Sequence, residues 1–252
     1  MRYWGLTDRG KVRSQNQDSF FAGVITNPKG EEALLCLICD GMGGAKAGDL
    51  ASRLARDSFI AYVTEHFRLR KSAEPVLRAG TEEANRVVME QAAEGPDYQG
   101  MGTTLVAMLV MGDKVLVANV GDSRCYLIRE EEIRQVTKDH SLVEDMIDKG
   151  ELSREQARRH PRKNLITRAI GTEDRAECDL FPLTLAEGDR LLLCSDGLSN
   201  MLDPREMLFE VLYGEDEDTA AQRMIDIALE RNAPDNVTVV LLSNAGEEES
   251  HG

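Results

Sequence analysis

The chain has 252 residues and a formal net charge of −15, a balance that disfavours nucleic acid as a partner because phosphate backbones are repelled before any base contact. With 42% apolar and 30% charged residues, it has the composition of a globular protein long enough to bury a core without disulfide or metal staples. No stretch approaches the roughly 18 apolar residues of a membrane span, and Met1 to Asp8 lacks the apolar centre of a signal peptide, so a cytoplasmic protein is expected.

Residues 2–8 and 19–26 read as strands around a polar loop that carries Arg13 and Asn16-Gln17-Asp18. The apolar run at 33–39 is a buried strand ending in the glycine-rich turn Asp40-Gly41-Met42-Gly43-Gly44. A helix follows, with Ala47, Leu50, Ala51, Leu54, Ala55, Phe59 and Tyr62 at helical spacing, and a second covers 73–93. Strands at 103–110 and 114–120 join through Met111-Gly112-Asp113, a hairpin turn, and further strands lie at 125–128 and 133–136. The polar, charge-dense stretch 139–170 predicts short surface helices. Strands return at 176–183 and 190–195, helices at 204–213 and 217–231, and a last strand at 237–242. The acidic tail, 246–252, is expected to be disordered. No repeat or linker divides the chain, so 1–245 reads as one layered α+β domain, with helices outside stacked sheets.

Cys36-Leu37-Ile38-Cys39 has the spacing of a redox or zinc motif, but residues three apart in a strand face opposite sides, so the two sulfurs diverge. The odd number of cysteines (5) fits reduced thiols in a cytosolic core. No phosphate cradle of the Cys-x5-Arg type, P-loop, nucleophile elbow or H-E-x-x-H helix occurs. What remains is a set of aspartates at strand ends. Asp40 and Asp196 each follow an apolar run and precede a glycine, and Asp235 immediately precedes the final strand. Carboxylates from remote segments are what hard Mg²⁺ or Mn²⁺ requires, since no short segment supplies enough oxygens in octahedral geometry. Asp122, in Gly121-Asp122-Ser123-Arg124, is either a further ligand or a turn residue. Arg13 is either a bidentate phosphate clamp or a solvated loop arginine, Asp18 either holds water near a metal or caps a turn, and His140 either shuttles protons or starts a helix.

Eight segments in order resemble one family, the metal-dependent Ser/Thr protein phosphatases of the PP2C (PPM) type in their compact bacterial form. They are Thr7-Asp8-Arg9-Gly10 with Arg13 and Asn16-Gln17-Asp18, Asp40-Gly41-Met42-Gly43-Gly44, Gly102-Thr103-Thr104, Val120-Gly121-Asp122-Ser123-Arg124, Asp139-His140-Ser141, Arg168-Ala169-Ile170-Gly171, Ser195-Asp196-Gly197-Leu198 and Asp235-Asn236-Val237-Thr238. The resemblance implies a four-layer α-β-β-α sandwich of two antiparallel sheets flanked by helices, with Mn²⁺ or Mg²⁺ in a cleft at one end. It implies that Asp40 bridges two ions, that the Gly41 carbonyl ligates one, and that Asp196 and Asp235 bind the second. Asp122, with Asp196, would hold a weaker third ion. Arg13 falls at the family's phosphate-binding arginine, Asp18 at a water-mediated acidic contact, and 142–167 at the flap that affects substrate access.

Hydrolysis of phosphoserine and phosphothreonine in proteins is then expected, by direct attack of a metal-bridging hydroxide and without a phosphoenzyme. The partners implied are phosphorylated substrates of Ser/Thr kinases, and the kinases themselves, with neither nucleic acid nor membrane involved. The rival readings are a catalytically dead relative that binds phosphoproteins as a scaffold, disfavoured because all the expected metal-binding aspartates are present, and a two-metal nuclease, disfavoured by the acidic surface. Met42 stands where many eukaryotic relatives carry a histidine thought to protonate the leaving group, which leaves the general acid unassigned.

Overall fold

Strand formation in this chain follows from burial on both faces. In the computed structural model, which describes residues 1–43 and 47–244, strand β5 (Leu105–Met111) sends Leu105, Ala107 and Leu109 to one core and Val106, Met108 and Val110 to another. The same alternation runs through β3 (Glu32–Met42), β10 (Arg190–Cys194) and β11 (Val237–Ser243). A strand covered on two sides has no polar positions to spare, which is why these runs look continuously apolar. Cys36 and Cys39 illustrate it: the first lies between the sheets and the second faces the helices, and both are free thiols.

All pairings between the named strands are antiparallel. One sheet has the order β1 (Arg2–Asp8), β11, β10, β7 (Arg124–Arg129), β8 (Glu132–Gln135). The other runs β2 (Asp18–Thr26), β3, β5, β6 (Lys114–Val120), β9 (Asp179–Thr184), with the two-residue β4 (Gly102–Thr103) added to the end of β3. Pro182 falls in β9, an edge strand, where a missing N–H is tolerated. The helices α1 (Ala47–His66) and α2 (Glu74–Ala93) cover the second sheet. The first is covered by the single turn α5 (Asp196–Ser199) with α6 (Pro204–Tyr213) and α7 (Glu217–Glu230). Three apolar layers therefore separate four structural ones, giving the α-β-β-α sandwich of two antiparallel sheets.

The surface stretch contains α3 (Leu142–Asp148) and α4 (Arg154–Arg158), started by the Ser141 and Ser153 side chains, which accept from backbone N–H groups of the first turn. Two strand boundaries differ from the expectation by three residues. The 33–39 strand continues through Asp40 to Met42, because β4 supplies Gly41 and Met42 with partners. The strand expected from 176 begins at Asp179. The expected disorder of 246–252, and Gly44 of the glycine turn, lie outside the described residues. Among the described residues no helix is long and apolar enough to cross a membrane.

Phe59 is fully buried where α1 meets α2 and the second sheet. Phe59→Ala should lower unfolding free energy by about 3–5 kcal/mol in urea titration; a loss below 1 kcal/mol would show that this layer collapses to fill the hole.

Candidate metal centre

Sheet pairing brings the sequence-separated aspartates together. Asp18 and Asp40 are register partners across β2 and β3, Asp196 opens α5 directly after β10, and Asp235 precedes β11, the neighbour of β10. Asp122 lies in the connection from β6 to β7, the strand on the other side of β10. All five expected carboxylates thus converge at one end of the sandwich, and the charges of Asp18, Asp122, Asp196 and Asp235 all act on Asp40.

Like charges gathered out of water hold their protons. Burial, followed by neighbouring aspartates, raises Asp40 well above the usual carboxylate range, and burial with Asp196 and Asp139 does the same for Asp122. Asp18 and Asp196 are pushed up to about 6, again chiefly by burial. Asp40 and Asp196 also keep part of their surface open to solvent, so the site is approachable.

The backbone around each carboxylate is pinned. The Asp40 N–H donates to Thr104 Oγ1 at 3.0 Å, while Thr104 N–H and Thr103 Oγ1 each donate to the Asp40 carbonyl at 2.9 Å. Glycine is required on the far side of both central aspartates. A Cβ on Gly41 would stand 2.1 Å from the Gly48 carbonyl oxygen, and one on Gly197 would stand 1.9 Å from that of Asn236. The Gly41 carbonyl oxygen lies against Gly48 near the start of α1. Asn200 Nδ2 donates to Asp196 Oδ2 at 3.0 Å.

Asp18 is held by hydroxyls. Ser195 Oγ donates to its Oδ2 at 2.9 Å and Thr238 Oγ1 at 2.6 Å. Thr238 is backed in turn by Thr7 Oγ1 at 2.7 Å, which accepts from Asn16 Nδ2 at 2.9 Å. The other oxygen, Asp18 Oδ1, is buried and has no hydrogen-bond partner among the described residues. An unmet buried acceptor costs about 1–3 kcal/mol.

Arg13 reaches the same end of the molecule. Its Nη2 donates to Asp235 Oδ2 at 2.8 Å, with about half of the side chain exposed (49%). Asn236 holds the loop that carries it: Gln17 N–H donates to its Oδ1 at 2.8 Å, and its Nδ2 donates to the Arg9 and Gln15 carbonyls at 2.9 and 3.0 Å.

His140 stands just before the Ser141 cap of α3, with both ring nitrogens engaged. Its Nδ1 accepts from the Gly121 N–H at 3.1 Å, which leaves Nε2–H to donate to Asp179 Oδ2 at 3.2 Å. The residue anchors the turn before Asp122, and burial pulls its pKa down. Arg124 likewise belongs to the frame, giving three hydrogen bonds of 2.6–3.0 Å to Asp139. Asn236, Thr103, Thr104, Ser195 and Thr238 had no assigned role in the sequence reading. All lie inside the motif segments, and Ser195 and Asn236 stand directly beside an aspartate at a strand end, which is the signal that could have found those two.

Among the described residues no three His, Cys, Asp or Glu side chains close an ion cage unaided. The donors are oxygens only, arranged as an open cluster of carboxylates beside a carbonyl. That fits Mg²⁺ or Mn²⁺, which retain several waters and complete their shells with solvent. The unpartnered Asp18 Oδ1 is where one such water would be received, and a divalent cation would relieve the repulsion that, after burial, raises the carboxylate pKa values.

Comparison with known proteins agrees with this geometry. The Protein phosphatase 2C family profile matches residues 9–227. The chain is 40% identical over 240 residues to the serine/threonine phosphatase stp of Listeria monocytogenes, covering 94% of this chain and 93% of that protein. It is 38% identical over 244 residues to the serine/threonine protein phosphatase PstP of Mycobacterium tuberculosis, covering 96% of this chain but 44% of the longer protein. The crystal structure of the Mycobacterium tuberculosis phosphatase superposes with a TM-score of 0.87 at 36% identity, covering 97% of this chain and 99% of that one. The PstP catalytic domain in complex with 2 manganese ions superposes with a TM-score of 0.83 at 36% identity, covering 95% and 96%. A profile match across most of the chain, close relatives over nearly its whole length and the shared sandwich place it in the protein phosphatase 2C family, in the company of bacterial members.

Proposed function

We propose that the chain hydrolyses phosphoserine and phosphothreonine monoesters in proteins with the aid of Mn²⁺ or Mg²⁺. The observation that carries this reading is the convergence of Asp40, Asp196, Asp235 and Asp122 with the buried, unpartnered Asp18 Oδ1. Asp40 would be shared between two ions with the Gly41 carbonyl beside it, Asp196 and Asp235 would hold the second, and Asp122 with Asp196 a third. Bound there, such ions supply an activated water at neutral pH and neutralise phosphate charge. The relatives' names, and the manganese ions in the PstP catalytic domain, support the assignment.

The remaining work belongs to the protein. Asp18 takes two hydroxyl donors on Oδ2, so its Oδ1 is oriented to accept from water at the site. Arg13, half exposed on a loop fixed by Asn236, offers a planar fork to phosphoryl oxygens. Met42 supplies no proton to the leaving alkoxide, so activity should fall more steeply from aryl phosphate to phosphoserine than in a relative with a histidine there. Residues 1–245 act as one catalytic domain in this reading, in the cytoplasm, on phosphorylated proteins that include Ser/Thr kinases, and not on nucleic acid or membranes.

Asp40→Asn should abolish Mn²⁺-dependent hydrolysis of p-nitrophenyl phosphate and of phosphopeptides while keeping the circular-dichroism spectrum. Near-normal turnover by that variant would remove Asp40 from the centre of the reading.

The variant should also change the pH dependence of stability. The folded protein keeps the Asp18 and Asp196 protons up to about pH 6, and burial with the neighbouring carboxylates raises Asp40 well above its ordinary value too. The unfolded chain releases them near the ordinary carboxylate value of about 4. The folded state therefore binds more protons, and this cluster's contribution falls as pH rises from about 4 through about 6. Without metal, the melting temperature of Asp40→Asn should exceed that of the wild type by a margin that widens over this interval, and Mn²⁺ should narrow it. A margin independent of pH would contradict the repulsion described above.

A further inference from the structure

Beside the aspartate cluster lies a cavity of about 450 Å³, with Asp122 and Asp196 on its inner wall and the 143–164 segment along its outer one. Its lining is polar and carries many charges, so the question is which of them remain uncompensated. Asp139 is consumed by Arg124, Glu206 by Arg231, and Glu144 by Arg154. Asp203 is engaged by the first-turn N–H groups of α6. Asp122 and Asp196 belong to the metal centre under the reading above.

Two cations are left. Among the described residues Arg158, exposed at the end of α4, has no side-chain hydrogen bond or ion pair, and Lys163 donates to the neutral Asn200 Oδ1 at 2.8 Å, the one carboxylate it acts on being Asp196 of the cluster. The stretch that bears them is basic, with Arg154, Arg158, Arg159, Arg162 and Lys163 against the single carboxylate of Glu155, in a chain of net charge −15. A concentrated positive lip on an acidic molecule selects its ligands by charge.

We propose that this cavity docks the polypeptide on either side of the phosphorylated residue, with Arg158 and Lys163 binding a second anionic group, a phosphoryl or a carboxylate, on the same substrate chain. The preferred substrates are then segments that are multiply phosphorylated or acidic around the scissile phosphoester. This deepens, and rests on, the protein-phosphatase reading. Each exposed charge contact is worth up to about 1 kcal/mol, or about fivefold.

The test uses the full chain with saturating Mn²⁺ and phosphoserine peptides differing at one position. That position, placed in turn up to about four residues from the phosphoserine, holds Ala, Glu, Lys or a non-hydrolysable phosphonate analogue of phosphoserine. The wild type should show kcat/KM about fivefold higher with the anionic peptides than with Ala at one or more spacings. An advantage confined to the phosphonate would identify the second group as phosphoryl, and equal gains with Glu would identify any anion. Arg158→Glu should cost about tenfold on the anionic peptides, mainly through KM, and should favour the Lys peptide, with p-nitrophenyl phosphate as the uncharged-flank reference. Equal kcat/KM for Ala and anionic peptides in the wild type, a proportional loss on every substrate, or an acidic preference that survives Arg158→Glu would overturn the proposal. Phosphate release from p-nitrophenyl phosphate but from no peptide would instead sink the protein-phosphatase reading itself.

Discussion

Mutual repulsion among buried carboxylates is the constraint around which this sandwich is organised. Asp18 and Asp40 face each other across a strand pair, a placement that destabilises a sheet when both residues are charged. Asp196, Asp122 and Asp235 are delivered to the same place by neighbouring strands. Nothing in the apolar layers demands such an arrangement, and each layer would be more stable with neutral residues at these positions. The fold tolerates it because the strands behind the aspartates are buried on both faces and tied into two five-strand paths. Rigid sheets supply the stability that the cleft gives up, a division common where function is built on a well-packed frame.

The devices that hold the carboxylates follow one pattern. For three of the aspartates, a nearby hydroxyl or amide side chain takes the backbone or one carboxylate oxygen. Thr103 and Thr104 do this for Asp40, Ser195 and Thr238 for Asp18, and Asn200 for Asp196. Orientation fixed before a ligand arrives is worth more than the same contacts formed afterwards, since no reorganisation is left to be done. Asn236 extends the pattern to the loop bearing Arg13, using three hydrogen bonds to backbone groups at 9, 15 and 17.

Much of this was legible from the residues. The doubly buried strands announce themselves as uninterrupted apolar runs, and the aspartates that follow them are conspicuous because a carboxylate is out of place there. Arg13 and Asp18 were ambiguous by the residues alone, since a loop arginine and a strand-edge aspartate have bland explanations, and only the ordered motif series favoured one reading. The continuation of β3 through Asp40 was hidden because Gly41 looks like a turn. What makes it strand is a two-residue partner more than sixty positions away, together with a carbonyl 2.1 Å from where a Cβ would stand. His140 was equally open between a proton shuttle and a helix start, and it stands directly before the Ser141 cap of α3 with Gly121 and Asp179 on its two ring nitrogens.

Charge is distributed by the same logic at longer range. A net charge of −15 would by itself repel phosphorylated proteins, and a cluster of bare aspartates would repel them most of all. Under the proposed reading, divalent ions at the cluster would reverse the sign of the field there, and the basic stretch from Arg154 to Lys163 would do so along the adjoining wall. The acidic remainder then discourages anions from settling elsewhere on the surface, so repulsion over most of the molecule sharpens attraction at one place. Such an arrangement is sensitive to ionic strength in a specific way. Capture of a charged peptide at the exposed lip is screened within a Debye length of about 8 Å at physiological salt, whereas the buried cluster is screened far less. Salt should therefore weaken selection among substrates before it weakens the chemistry.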